Sequence, residues 1–265
     1  MTTLALSLDV MLFELRRSLT FGRMAAWGIL ILFPVALFTT LNILMRVNMG
    51  PEAYASPDVF QALGVTLYFL IPEVCCLLGL LLWATPAVST EIEGQTWVYL
   101  ALRKAGRKSV LLGKYLTSLV WTFSTALISI TICCCVVGPS VSWELAMVLW
   151  AIAALSCISH GALFILIGTL FYRRSIVTAV LYTVVVELGI SFVPAVINKA
   201  TINFRLRGLM AEWMGWENAR SQFENVLGTD PAWQHLLALL LIAVLCLGVS
   251  LYRVETTEYP TQQEG

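Results

Sequence analysis

Charge is scarce in this sequence. Lys, Arg, Asp and Glu make up 12% of its 265 residues, about half the share of an ordinary soluble domain. The 16 basic and 16 acidic residues cancel, and the pI is near 6.7. No basic surplus is available to neutralise phosphates, so nucleic acid is not an expected partner. Histidine is rarer still, with only His160 and His235. None of the seven cysteines has C-x-x-C spacing with histidine partners, which argues against a zinc site. All seven, Cys75, Cys76, Cys133, Cys134, Cys135, Cys157 and Cys246, fall inside apolar runs. They are expected to act as small buried apolar residues rather than as a disulfide framework. No metal and no cofactor is expected.

Nucleotide-binding and hydrolytic motifs are missing too. A phosphate-binding loop needs G-x-x-x-x-G-K-[ST], whose glycines let backbone N–H groups cradle phosphate. Gly106-Arg107-Lys108-Ser109 fails because Arg107 intrudes and position 101 is Ala101. Gly113-Lys114 fails because Tyr115 follows. Ser159-His160-Gly161 lacks the G-x-S-x-G elbow. Neighbouring helical residues also point about 100° apart, so that serine and histidine do not face each other. The chain itself is not expected to be an enzyme.

What is present is apolar. The sequence is 59% hydrophobic, with a mean hydropathy of +0.84. That excess is gathered into six nearly uncharged runs, each long enough to cross a hydrocarbon core of roughly 30 Å as a helix. They are Met24 to Met45, Gly64 to Val88, Tyr115 to Val137, Leu145 to Phe171, Ile176 to Ile197 and Trp233 to Leu251. The first follows a charged stretch and is full length, unlike a signal peptide. The expected fold is an all-α integral membrane protein with six transmembrane helices in one domain, 1–265. No internal repeat or low-complexity linker divides it.

Lys and Arg are unevenly shared between the connections. One side carries Arg16, Arg17, Arg23, Arg103, Lys104, Arg107, Lys108, Lys114, Arg173, Arg174 and Arg253, against Arg46, Lys199, Arg205, Arg207 and Arg220 on the other. Positive connections favour the cytoplasm. Both termini are therefore expected there, in a cell (cytoplasmic or inner) membrane. Residues 1–23 place Leu4, Leu8, Met11, Leu12, Leu15 and Leu19 at helical spacing. This predicts an amphipathic helix in the cytoplasmic interface, with a plain leader as the alternative.

Two connections stand out. The cytoplasmic one, 89–114, runs from Ser89-Thr90-Glu91-Ile92-Glu93-Gly94 through an apolar patch (Trp97, Leu100, Ala101, Leu102) to basic Arg103 and Lys108. That composition suits a short helix seated in a partner's groove. The outer one, 198–231, mixes Phe204, Leu206, Leu209, Met210, Trp213 and Trp216 with four basic and four acidic residues. It predicts one or two short helices that lie on the outer leaflet or dip into it, the alternative being a folded loop. Within the spans, Glu73, His160 and Glu187 are the ionisable residues. Such groups are costly in lipid and face a bundle interior or a cavity. His160 and Glu187 lie near mid-span and are expected to pair, as a substrate path or gate, or as a structural polar contact.

The run Glu91-x-Glu93-Gly94, then Leu100-x-Leu102-Arg103, then Arg107-Lys108-x-Val110-Leu111-Leu112-Gly113-Lys114 resembles the permease subunits of ABC-2 type transporters. Where that family has Pro-x-Ser before an arginine, this chain has Lys104-Ala105-Gly106, so Arg107 and its flanks carry the likeness. An interfacial N-terminal helix, six spans and a membrane-active loop before span six resemble the same family. The resemblance implies an exporter. It implies a second permease subunit, identical or not, and a separate P-loop subunit that binds and hydrolyses ATP. Glu91, Glu93, Gly94, Trp97, Arg103 and Arg107 would then form the coupling segment to that ATPase. Two readings compete: an intramembrane enzyme built on Glu73, His160 and Glu187, and a membrane scaffold or importer component without its own energy coupling.

Overall fold

The computed structural model describes residues 3–54, 56–94, 106–138, 142–193, 196–216 and 230–259. Among these the chain is helical, with no strand. Backbone N–H and C=O groups have no water to bond in a bilayer core, so a helix, which satisfies its own, is the form that six apolar runs must take. Six helices are long and apolar enough to cross a membrane: Phe21–Gly50, Pro57–Ala87, Gly106–Val137, Trp143–Leu170, Tyr172–Phe192 and Ala232–Thr256. They coincide with the six expected runs and extend most of them by several residues. This is a multi-pass membrane protein by architecture.

In chain order, α1 (Thr3–Ser18) precedes α2 (Phe21–Tyr54), which forms span one and is broken at Gly50, where φ is 75°. Span two is composite: α3 (Pro57–Tyr68), a π-helical segment Phe69–Cys75, α4 (Cys76–Trp83) and a 3-10 turn Thr85–Ala87. The short α5 (Ser89–Glu93) follows. Spans three and four are continuous helices, α6 (Gly106–Val137) and α7 (Ser142–Leu170). Span five is again composite, with α8 (Ser175–Tyr182) running into a π-helical segment Thr183–Gly189 and a 3-10 turn Ile190–Phe192. Then come α9 (Ile202–Trp213) and α10 (Ala232–Thr256), the latter being span six.

Span four is the hub. Its sequence is apolar on every side, as a helix surrounded by others must be, and it packs against spans two, three, five and six and against α9. In its most apolar window 67% of residues are buried, as in span two, against 28% in spans one and five and 22% in span six. The latter three therefore present most of their surface outward, as lipid-facing helices do. Two apolar clusters fill the interior. One, around Leu67, Ile130, Leu149, Leu206 and Leu209, lies in the half that holds α9. The other, around Leu80, Leu111, Phe164, Ala179 and Val254, lies in the half that holds the 89–114 connection.

The 198–231 connection is not a surface element over α9. Helix α9 buries every residue from Ile202 to Ala211 except the half-buried Arg205. It packs on spans four and six, so it enters the bundle rather than lying on a leaflet. Residues 217–229 of that connection lie outside the described residues.

Helix α1 lies along span three. The contact is made by small polar groups: Ser7 and Ser18 are buried, Trp121 Nε1 donates to Ser18 Oγ at 2.8 Å, and Thr117 Oγ1 donates to the Met11 carbonyl at 3.4 Å. A Cβ at Gly113 would strike Val10, so glycine sets this close approach. The leucine face of α1 points away from the protein, with Leu8, Leu12, Phe13 and Leu19 between 43% and 64% exposed. An outward apolar stripe on a helix beside the spans is the arrangement an interfacial helix requires.

Candidate functional site

Glu73, His160 and Glu187 converge in the bundle interior, each fully buried. Both carboxylates sit on π-helical segments. Pro72 has no N–H to continue the helical ladder, so span two widens there into Phe69–Cys75 and turns Glu73 inward. The Pro72 carbonyl instead accepts from Ser156 Oγ of span four at 2.9 Å. Ser156 Oγ also lies 3.1 Å from Nδ1 of His160, one turn on. Glu187 occupies the π-helical segment of span five, and Oε2 is 3.7 Å from His160 Nε2. The expected pairing of His160 with Glu187 is thus present.

Glu187 does more than face a histidine. Its Oε1 accepts from Tyr182 OH at 2.9 Å and from the Ile202 backbone N–H at 3.3 Å, and Oε2 accepts from the Asn203 N–H at 3.0 Å. Those N–H groups open α9. A carboxylate there satisfies donors that have no partner inside the helix and meets the positive end of its dipole. Asn203 completes the convergence. Its Nδ2 donates to Glu73 Oε1 at 3.3 Å and to the Glu187 carbonyl at 3.2 Å. Ser191 Oγ donates to that same carbonyl. Arg207, one turn along α9, donates to the Asn203 carbonyl at 3.3 Å and the Ser191 carbonyl at 2.9 Å, and lies 4.0 Å over the Phe192 ring. The carbonyls loosened by the π-helical segment are thus capped by α9.

Sequence reasoning found Glu73, His160 and Glu187 but missed Asn203 and Arg207, which join them. Their signal was slight: two polar residues four apart on one helical face, in a stretch that also holds Arg205 and Glu212. Among the described residues, Glu73 Oε2, Asn203 Oδ1 and Arg207 Nη1 are buried without a protein partner. A buried polar network with open valences is costly, and it ties α9 to spans two, four and five through few strong contacts. An ionic cluster secures the start of α9 from the side: Lys199 and Arg205 both contact Asp230, at 3.2 and 3.1 Å. Partial burial pushes the Asp230 carboxyl up, but the hydrogen bond and charge of Lys199, with Arg205, outweigh it and hold the group below its ordinary 3.8.

The second candidate region is the 89–114 connection. Trp97 and Arg103 lie outside the described residues. Glu93 and Gly94 are exposed at the end of α5, where the Gly94 N–H donates to the Thr90 carbonyl at 3.0 Å. Glu91 is buried instead. It pairs with Lys114 of span three at 2.5 Å, with both side chains about 10% exposed, and Lys114 also donates to Thr90 Oγ1 at 3.0 Å. Arg107 donates to the carbonyls of Val254 and Glu255 at 3.5 and 3.3 Å, capping the end of span six, while Lys108 pairs with Glu255 at 2.7 Å. Beyond span six, Tyr259 folds back and donates to the Thr169 carbonyl of span four at 3.2 Å. Burial pushes its phenol up. The two ends of the connection are therefore fastened to spans three and six.

Among the described residues no group of three or more His, Cys, Asp or Glu could hold a metal ion. Compared with known protein families, curated proteins and solved structures, the chain matches none.

Proposed function

We propose that the chain is a permease subunit of an ATP-driven transporter of the ABC-2 type, an exporter, with ATP hydrolysis on a separate P-loop subunit and a second permease subunit beside it. The observation that carries this reading is the mechanical anchoring of the 89–114 connection. A force applied between Glu93 and Arg107 has two rigid outlets, the Glu91–Lys114 pair at the junction of spans two and three, and the Arg107 contact on the last turn of span six. Glu93 and Gly94 remain exposed for a partner. Span two carries the motion inward to Pro72 and Glu73, where α9 is held by hydrogen bonds rather than by a continuous helix. In this reading the polar cluster is a latch on α9, and the cytoplasmic connection is its handle. Both termini are cytoplasmic, and α1 lies in the interface.

The enzyme reading has its convergence but not its access: Glu73, His160 and Glu187 are each 0% exposed. The deciding experiment is purification of the tagged full chain from its own membrane, followed by identification of bound subunits. A P-loop ATPase is expected to co-purify, and the isolated chain is expected to hydrolyse no ATP. ATP hydrolysis by the chain alone would overturn the proposal.

A further inference from the structure

We infer that the chain carries a binding site for a zwitterionic phospholipid headgroup with a primary ammonium, such as phosphoethanolamine, at the elbow between α1 and span one. The inference does not depend on ATP coupling and rests on a cavity that shares only Thr90 and Lys114 with the regions described above. It lies among α1, the start of span one, the end of span two and the start of span three, and its walls include Glu14, Arg23, Trp83, Lys114 and Trp121.

Its chemistry is unusual for the end of a membrane bundle. Trp121 is buried, stacks on Trp83 at 5.9 Å, and is met edge-on by Trp27 at 6.1 Å. Three tryptophans from three spans thus meet at one level, where indole rings favour the headgroup region. Their N–H demands are met for two of them, Trp121 by Ser18 and Trp27 by Ser124 at 3.1 Å. The trio is rigid rather than free to swing. Lys114 lines the cavity with two donors engaged, by Glu91 and Thr90, leaving the third N–H of its ammonium for an occupant. Among the described residues neither Glu14 nor Arg23 takes part in an ion pair, and Arg23 is exposed.

A single anion would meet Glu14, and a single cation would meet Arg23. A phosphate–ammonium zwitterion satisfies both. Its phosphodiester bonds Arg23 and Lys114. Its ammonium donates to Glu14 and lies on an indole face. A primary ammonium has the N–H groups that Glu14 can accept, whereas a quaternary one does not. The acyl chains have a path: Leu82 lines the cavity and is 51% exposed, and Phe21, two residues before the lining Arg23, is 92% exposed. A basic pocket between helices on the Lys/Arg-rich face suits lipid headgroups generally; Glu14 narrows that to a zwitterion.

The test is native mass spectrometry of the full chain in detergent, with phosphatidylethanolamine, phosphatidylcholine and phosphatidylglycerol of matched chains in competition. Phosphatidylethanolamine adducts are expected to dominate. Arg23→Gln should weaken them about tenfold, the loss of one charge-assisted hydrogen bond. Glu14→Gln should erase the preference over phosphatidylglycerol while leaving thermal stability unchanged. Glycerophosphoethanolamine, the same headgroup without chains, should not displace the lipid at equal concentration. Equal retention of phosphatidylglycerol by the unaltered chain, unchanged adducts in both variants, or displacement by the chain-free headgroup would each overturn the inference. None of these readouts involves transport, so a failure here leaves the permease proposal untouched.

Discussion

Glu187 shows how much one side chain can organise. Its carboxylate accepts from Tyr182 and from the first N–H groups of α9, with the His160 ring 3.7 Å away. Glu187→Ala would leave those donors buried and unpaired, a loss of about 3 kcal/mol. A lowered thermal unfolding midpoint in detergent is the expected readout, with Glu187→Gln intermediate because its carbonyl oxygen still accepts. Asp230 makes a prediction of a different kind. Its carboxyl is held below 3.8 when folded, so its contribution is complete above that value and is lost as pH falls through the folded value. Unfolding midpoints of the natural chain and Asp230→Asn should differ at pH 6 and converge as the pH drops below the ordinary 3.8. A gap unchanged at pH 3 would show that the charge of Asp230 is irrelevant to holding α9.

At the scale of the element, close approach decides more than hydrophobicity. A Cβ at Gly168 of span four would collide with the Thr85 carbonyl at the end of span two. That neighbour is backbone and cannot rotate aside. Gly168→Ala should therefore cost about 2 kcal/mol, read as a lower unfolding midpoint, although alanine is the better helix former. The same logic holds α1 on span three at Gly113. Small residues take this role in membranes because lipid is as apolar as leucine and gives helices no hydrophobic reason to associate. It also bears on the packing of α1. The leucine periodicity of α1 announced a helix, and the helix is there, but its packing face is Ser7, Val10 and Ser18 rather than the leucines. Periodicity reports an apolar stripe; it does not say whether the stripe meets protein or lipid.

For the whole molecule, the prediction concerns transmission. Glu93 is exposed at the handle and makes no ion pair among the described residues. Reversing it, Glu93→Lys, should leave the folded chain intact, with an unfolding midpoint within a degree or two of the natural one. On the permease proposal, it should cut transport several-fold while ATP hydrolysis by the proposed partner persists. Arg107→Ala should do the same and also loosen the end of span six, seen as faster hydrogen exchange around Val254. Full transport by both variants would remove the coupling role.

The six spans and their order were legible in the sequence alone, because a bilayer imposes one length and one composition on whatever crosses it. So were the scarcity of charge, the missing phosphate loop, and the oddity of Glu73, His160 and Glu187 within apolar runs. The partners of those residues were not legible. Asn203 stands 130 positions from Glu73 and 16 from Glu187, in a stretch whose mixed composition suited a leaflet surface equally well. Only the tertiary structure turned that stretch inward, since burying α9 depends on whether its Asn203 and Arg207 find partners on other spans. The same holds for Glu91, whose pairing with Lys114 of span three no local pattern announced. Local rules count spans because each helix satisfies its own backbone; they cannot assign side chains, whose hydrogen bonds are completed by residues far away in the chain.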